Sequence, residues 1–198
     1  MNEKGGIVTT LTFQTVGVIA GAIFLAVLIW STLFPSHRIW PPRRYSRYGA
    51  IFTWLGTLAI FGAALWLGIA DWARVTLPDW SRYGVGLVAV IVGNLIVWPG
   101  AIRFGFDQTS GAKGDLMTDG VYRFSRHPQY VGDILILVGW AMFSASLSAL
   151  PVIAIGVTVL VAAPFVEEPW LRQTYGERYR DYERRTQCFF GLPQEISI

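Results

Sequence analysis

The chain has 198 residues, of which 53% are hydrophobic and only 15% charged, with a mean hydropathy of +0.44. A soluble domain carries about 25% charged residues, and this chain has too few to cover a water-facing surface. The same arithmetic excludes disorder and collagen, and the single Cys188 excludes a disulfide scaffold.

Taken in chain order, the apolar runs predict membrane spans. The stretches 11–34, 49–70 and 83–102 each pass without a single charge. About 20 apolar residues carry a helix across roughly 30 Å of hydrocarbon, and each stretch is at least that long. The stretch 128–166 then has Asp133 as its only charge. At 1.5 Å per residue it makes about 58 Å of helix, enough for two spans, 128–147 and 148–166. The cluster Ser144, Ser146 and Ser148, followed by Pro151, marks the turn between them. The expected fold class is all-α: one polytopic domain over 1–198 with five transmembrane helices. The first span is too long for a signal-peptide core, and no small-residue cleavage site follows it.

Basic residues set the expected orientation. Most of the Lys and Arg fall in loop 35–48, loop 103–127 and the tail after Val166; only Lys4, Arg74 and Arg82 lie on the other side. The positive-inside rule then puts the N-terminus outside and the C-terminus in the cytoplasm of an inner or plasma membrane. This asymmetry accounts for the pI of 9.2, so no nucleic-acid partner is expected.

Most of the apolar sequence reads as packing. Gly17 and Gly21 form a GxxxG of the kind that brings helices together. The run Gly84 to Ala89 mimics a dinucleotide fingerprint but opens a span with no strand before it, and is discarded. Asn94 is expected to make an interhelical hydrogen bond.

Polar residues gather in two segments, 111–130 and 167–187. In the first, Pro128 suits the opening turn of the fourth span. That places Arg126 and His127 at a helix N-terminus, where free N–H groups favour a carboxylate or phosphate; the bland reading is a snorkelling Arg and an interfacial His. Asp133, one turn further in, needs a partner in the membrane, with Arg126 or a first-turn backbone group the candidates. In the second segment, Leu171, Tyr175, Tyr179 and Tyr182 recur at helical spacing. They predict an interfacial amphipathic helix with its rings at headgroup depth. Glu167 and Glu168 are adjacent carboxylates at a span end, disfavoured at an anionic surface.

Together the segments resemble the isoprenylcysteine carboxyl methyltransferases and their phospholipid N-methyltransferase relatives. The pattern runs Leu116-Met117-Thr118-x-Gly120-Val121-Tyr122 and Arg126-His127-Pro128-x-Tyr130-Val131-Gly132. After the hairpin it continues Glu167-Glu168 and Tyr175-Gly176-x-x-Tyr179-x-x-Tyr182, covering 116–182 with order and spacing intact. The resemblance implies an integral membrane enzyme using S-adenosylmethionine on a lipophilic or lipid-linked acceptor in the bilayer. It also implies a cofactor site at Asp115, Leu116, Met117, Tyr122, His127, Pro128, Gln129, Tyr130, Glu167 and Glu168, with Glu167 and His127 as catalytic candidates.

Two departures bear on the acceptor. Prenylcysteine enzymes of the family commonly carry an Arg four residues before the glutamate, where this chain has Ala163. They often carry an Arg before a final Pro, where this chain reads Cys188-Phe189-Phe190-Gly191-Leu192-Pro193. Both weaken the case for a carboxylate acceptor and leave amine and thiol acceptors open. The His and Cys residues form no cluster along the sequence, so no metal is expected. A second resemblance, around Arg126-His127-Pro128-Gln129-Tyr130-Val131-Gly132-Asp133, is to NADPH-dependent membrane sterol reductases. A scaffold or transporter reading fits less well, because the charges stay at span ends and not at mid-membrane.

Overall fold

The structure is a computed structural model and describes residues 3–42, 44–109 and 114–192. Arg43, residues 111–113 at the start of the first polar segment, and Pro193 lie outside the described residues. All regular elements described are helical: α1 (Glu3–Leu33), α2 (Arg47–Ala70), α3 (Leu87–Thr109), α4 (Pro128–Ser144), α5 (Leu150–Tyr175) and α6 (Glu177–Arg185). A π-helical segment, Trp80–Gly86, leads into α3, and the short turns Pro35–His37 and Gly120–Arg123 are 3₁₀.

Among the described residues four helices are long and apolar enough to cross a membrane: Gly5–Leu33, Arg47–Ala70, Trp80–Ile102 and Leu150–Tyr175. Only 17–28% of the residues in their most apolar stretches are buried, and Leu11, Leu55, Leu58, Leu95 and Phe165 are each more than half exposed. Faces of that kind need lipid or another apolar cover. Hydroxyls on these helices donate one turn back, as from Thr9 to Gly5 O at 2.9 Å and Thr158 to Ala154 O at 2.8 Å. Such bonds leave no unpaired group on an apolar face.

The two helices expected over 128–147 and 148–166 have different bounds. α4 spans 17 residues and stops at Ser144, where Ala145 turns left-handed at φ 50°. α5 then runs 26 residues to Tyr175, through Pro164 and Pro169. The turn falls at the serine cluster, as expected. Asp71, capping α2, accepts from Ser148 N and Ser148 Oγ at 2.9 Å each and so ties that turn to α2. α5 outruns its span because Glu168 and Arg172 meet partners beyond it, described below.

The core lies where α2, α4 and α5 meet: Ile60, Ala63, Ala64 and Leu67 pack with Leu137, Ala149, Val152 and Ile153. α1 lies on α2 and α5. A Cβ on Gly17 would come within 2.6 Å of Val152 and one on Gly21 within 2.6 Å of Ile155, so the GxxxG is a packing seam. Asn94 departs from expectation. It donates to Val90 O and accepts from Trp98 Nε1, all within α3, because a donor and an acceptor one turn away satisfy it without a second helix.

α3 and α4 approach backbone to backbone. A Cβ on Gly139 would meet Gly86 O at 2.7 Å and Val90 N at 2.8 Å, atoms that cannot yield without parting the helices. Gly139→Ala is therefore expected to destabilise the fold by about 1–3 kcal/mol, the usual cost of overpacking. A lowered thermal midpoint in detergent is the measurement that checks it.

Candidate active site

The site forms at the end of the bundle away from Asp71, where α1 ends, α4 begins and α5 ends. Pro128 starts α4 and His127 caps it. The chain entering this cap is held by the C-terminal segment: Arg126 N donates to Gln187 O at 2.9 Å and Gly191 N to Phe124 O at 2.9 Å. Ser125 Oγ accepts from His127 N at 3.0 Å and donates to Cys188 O at 3.2 Å. Tyr182 donates to Tyr122 O and Tyr175 to Gly114 O, both at 2.6 Å.

These bonds correct the interfacial reading of the second polar segment. The helix is interrupted at Gly176, whose φ of +58° suits a residue without a side chain. Tyr179 and Tyr182 on α6 are 1% and 6% exposed, so their rings face protein and not headgroups. Spacing alone shows which residues share a face; it does not show what covers that face.

Arg126 is the main tie. It donates through Nε to Glu168 Oε1 at 2.9 Å, through Nη2 to the same oxygen, and through Nη1 to Thr186 O at 2.7 Å. Arg172 donates to Glu168 Oε2 at 3.3 Å and to Glu183. Burial works against the charge on Arg126, but the bond and charge of Glu168 outweigh it and hold the guanidinium above its ordinary value. Arg126 is thus neither snorkelling nor paired with Asp133. An anion at the α4 N-terminus would compete with Glu168, which already occupies the cation there.

Glu167 points elsewhere. Its Oε1 accepts from Trp40 Nε1 at 2.7 Å and from the Tyr130 hydroxyl, while its Oε2 lies 3.7 Å from His127 Nδ1. His127, 6% exposed, therefore sits between the two carboxylates, with Nε2 3.6 Å from Glu168 Oε1.

A cavity opens beside these groups. It is lined by Asp115, Leu116, Met117, Tyr122, His127, Pro128, Gln129, Tyr130 and Glu167, which is every residue expected at the site except Glu168. Glu168 is drawn away by the two arginines. Sequence pattern does not assign Trp40, Pro41, Gly114, Trp170 or Leu171 to this site, nor Tyr175, Tyr179 or Tyr182, all of which line it. The Tyr-Gly-x-x-Tyr-x-x-Tyr spacing is a usable signal for the tyrosines. For Trp40 there is none, since a Trp in a basic loop reads as an interfacial anchor.

Two buried polar atoms at this wall, Gln129 Nε2 and Tyr179 Oη, have no hydrogen-bond partner, and a third, His127 Nε2, has only the Glu168 carboxylate 3.6 Å away. Unsatisfied buried groups are costly and rare, and all three residues line the cavity. The structure also gathers His127, Glu168 and Cys188, with one possible ligand atom from each within 4.8 Å of the others. Their wide separation along the chain hides this group from a reading of the sequence. Both oxygens of Glu168 are taken by guanidinium groups, so a divalent ion there would face two adjacent positive charges.

All-helical among the described residues, with four helices long and apolar enough to cross a membrane and exposed apolar faces along them, the chain has the make-up of an integral membrane protein. The phospholipid methyltransferase family model matches residues 81–178, which carry α3, α4, α5 and the start of α6, so this part of the chain is similar to those methyltransferases. A probable protein-S-isoprenylcysteine O-methyltransferase of Oryza sativa is 30% identical over 58% of this chain and 62% of its own length. The cobalt-zinc-cadmium resistance protein CzcN of Cupriavidus metallidurans is 29% identical over 74% of this chain and 63% of its own. The steroid 5-alpha-reductase DET2 of Solanum lycopersicum is 28% identical over 50% of this chain and 39% of its own. The chain thus spans less than two thirds of each of these relatives. No solved structure matches.

Proposed function

We propose that this protein transfers a methyl group from S-adenosylmethionine to a membrane-associated or lipophilic acceptor. The observation that carries the reading is the cavity wall with its unpartnered buried groups on Gln129 and Tyr179 beside the His127 ring. They fit a ligand rich in donors and acceptors, as the amino-acid and nucleoside parts of S-adenosylmethionine are. Asp115, Leu116, Met117, Tyr122 and the run His127 to Tyr130 would hold it, with the Glu167 carboxylate available to its ammonium or sulfonium charge.

Bound S-adenosylmethionine supplies a methyl group activated on a sulfonium. The chain's own work is to align the ligands and exclude water. A carboxylate acceptor needs no base. An amine or thiol acceptor must lose a proton, and Glu167 Oε2 and His127 Nδ1, 3.7 Å apart, are the groups that can take it. Ala163, where prenylcysteine enzymes carry Arg, is 4% exposed and packs with Leu28, Val159, Trp40 and Tyr130. This apolar wall favours an acceptor without a carboxylate at that point.

In this reading α4 is a fifth, short span, about 25 Å long at 1.5 Å per residue, with the N-terminus outside and the site on the cytoplasmic face of an inner or plasma membrane. The acceptor enters from the bilayer and the cofactor from the cytoplasm. Photocrosslinking of a lipid-soluble acceptor analogue only to the extramembrane surface would contradict this route.

The likeness to a steroid 5-alpha-reductase over 101 residues keeps an NADPH-dependent reaction as a second reading. Calorimetry on detergent-purified protein separates the two. Saturable binding of S-adenosylmethionine and S-adenosylhomocysteine is expected, weakened at least tenfold in His127→Ala as a charged or buried hydrogen bond is lost. Binding of NADPH alone would overturn the methyltransferase reading.

A further inference from the structure

Trp40 lies between α1 and α2, outside the family match at 81–178, and yet it reaches the centre of the site. The backbone of residues 39–41 is fastened at three points. Ser31 Oγ, at the end of α1, accepts from Ile39 N at 3.1 Å and Trp40 N at 3.0 Å. The same hydroxyl spends its proton on Val27 O at 2.7 Å. Arg38 Nε donates to Pro41 O at 3.0 Å, and Pro41 is fully buried. Trp80, by contrast, is 71% exposed and shows what an unanchored surface tryptophan looks like here.

The consequence concerns the two oxygens of Glu167. The terminal torsion of a Glu side chain is soft and nearly two-fold, so the oxygens exchange unless something distinguishes them. Here the Trp40 N–H and the Tyr130 O–H both donate to Oε1. Oε2 takes neither of these bonds and lies 3.7 Å from His127 Nδ1, and Glu167 itself lines the cavity. Ring packing of Trp40 on Leu28, Val159 and Ala163 keeps the indole in place whether or not a ligand is present.

We infer that Trp40 is a positioning residue that clamps Glu167 by Oε1 and so presents Oε2 to the ligand, making the α1–α2 segment a wall of the site. The role of Oε2 toward a ligand rests on the cofactor reading above; the clamp itself does not.

The test uses the full chain in detergent, with S-adenosylhomocysteine as probe. Trp40→Phe, which keeps a ring and loses the N–H, is expected to weaken binding about tenfold, the effect of one hydrogen bond to a charged group. Combined with Tyr130→Phe, the loss should be smaller than the product of the two single losses, because both donors act on one oxygen. Full affinity in Trp40→Phe, or losses that multiply, would overturn the inference. Should Trp40→Phe fail to fold, Ser31→Thr and Ser31→Val ask the same question, with affinity kept in the first and lost in the second; equal affinity overturns it. If the unsubstituted protein binds no adenosyl ligand, the cofactor reading fails and the clamp is read by carbodiimide modification of Glu167. Faster modification in Trp40→Phe then supports the clamp, and an unchanged rate removes it.

Discussion

Arg126→Ala is expected to be the most destabilising single substitution in the polar end of the molecule. The Arg126 and Glu168 side chains are 10% and 9% exposed, so removing the guanidinium leaves a buried carboxylate with the partly exposed Arg172 and the His127 ring beside it. Breaking a buried pair from one side costs about 3–5 kcal/mol, and Arg172 should bring the loss toward the lower figure. The guanidinium also donates to Glu183 O and Thr186 O, so the tail after α6 is loosened in the same step and keeps its bonds to Phe124, Ser125 and the Arg126 backbone.

Cys188, the single cysteine, reports on that loosening. Burial, and then the charge of Glu168, push its thiol up to about 11. An ordinary thiol, with a pKa near about 8.5, is partly ionised at pH 8, so native Cys188 should alkylate about two orders of magnitude more slowly there. Its rate should climb as pH rises toward 11. The sign for stability follows: folding favours the protonated thiol, so its contribution is full below the unfolded value and is lost as pH rises through about 11. In Arg126→Ala, maleimide labelling at pH 8 should speed up sharply as the tail is loosened, and Arg126→Lys should fall between, keeping the charge without the fork. Labelling of Arg126→Ala as slow as in the native protein would mean that the tail holds without this cation.

Much of this site is legible in the sequence because it is built at helix ends. Pro128 announces the start of α4, the serine cluster announces the turn before α5, and apolar runs of about 20 residues announce the long helices. What sequence pattern cannot supply is the partner of a face. The tyrosine stripe of α6 is visible as a period, but whether lipid or protein covers it depends on residues 122–126, which precede the whole α4–α5 hairpin. Adjacent Glu167 and Glu168 read as a pair, yet consecutive positions on a helix diverge by about 100°. One therefore serves the cavity and the other the arginines. Asn94 shows the opposite error, an expected long-range bond replaced by two local ones. Trp40 has no local signature at all, because its role exists only once Ser31, Pro41 and Glu167 have been brought together.

Glu167→Gln is the substitution that separates charge from shape in the proposed cofactor site. The amide keeps an oxygen able to accept from Trp40 and Tyr130, so the clamp survives while the negative charge is removed. Both S-adenosylmethionine and S-adenosylhomocysteine should bind at least tenfold more weakly, since a charge-assisted bond is worth about 1.5–3 kcal/mol. The two ligands differ in that only the first carries a sulfonium. A larger loss for S-adenosylmethionine puts the carboxylate beside the sulfonium, where it holds the reactant more tightly than a transition state in which that charge is dispersing. Its removal would then raise KM and raise kcat with it. An equal loss puts the carboxylate at the ammonium group that both ligands share, and KM should then rise with kcat unchanged. Unchanged affinity for both would remove Glu167 from the cofactor and leave its Oε2 free to act on the acceptor alone.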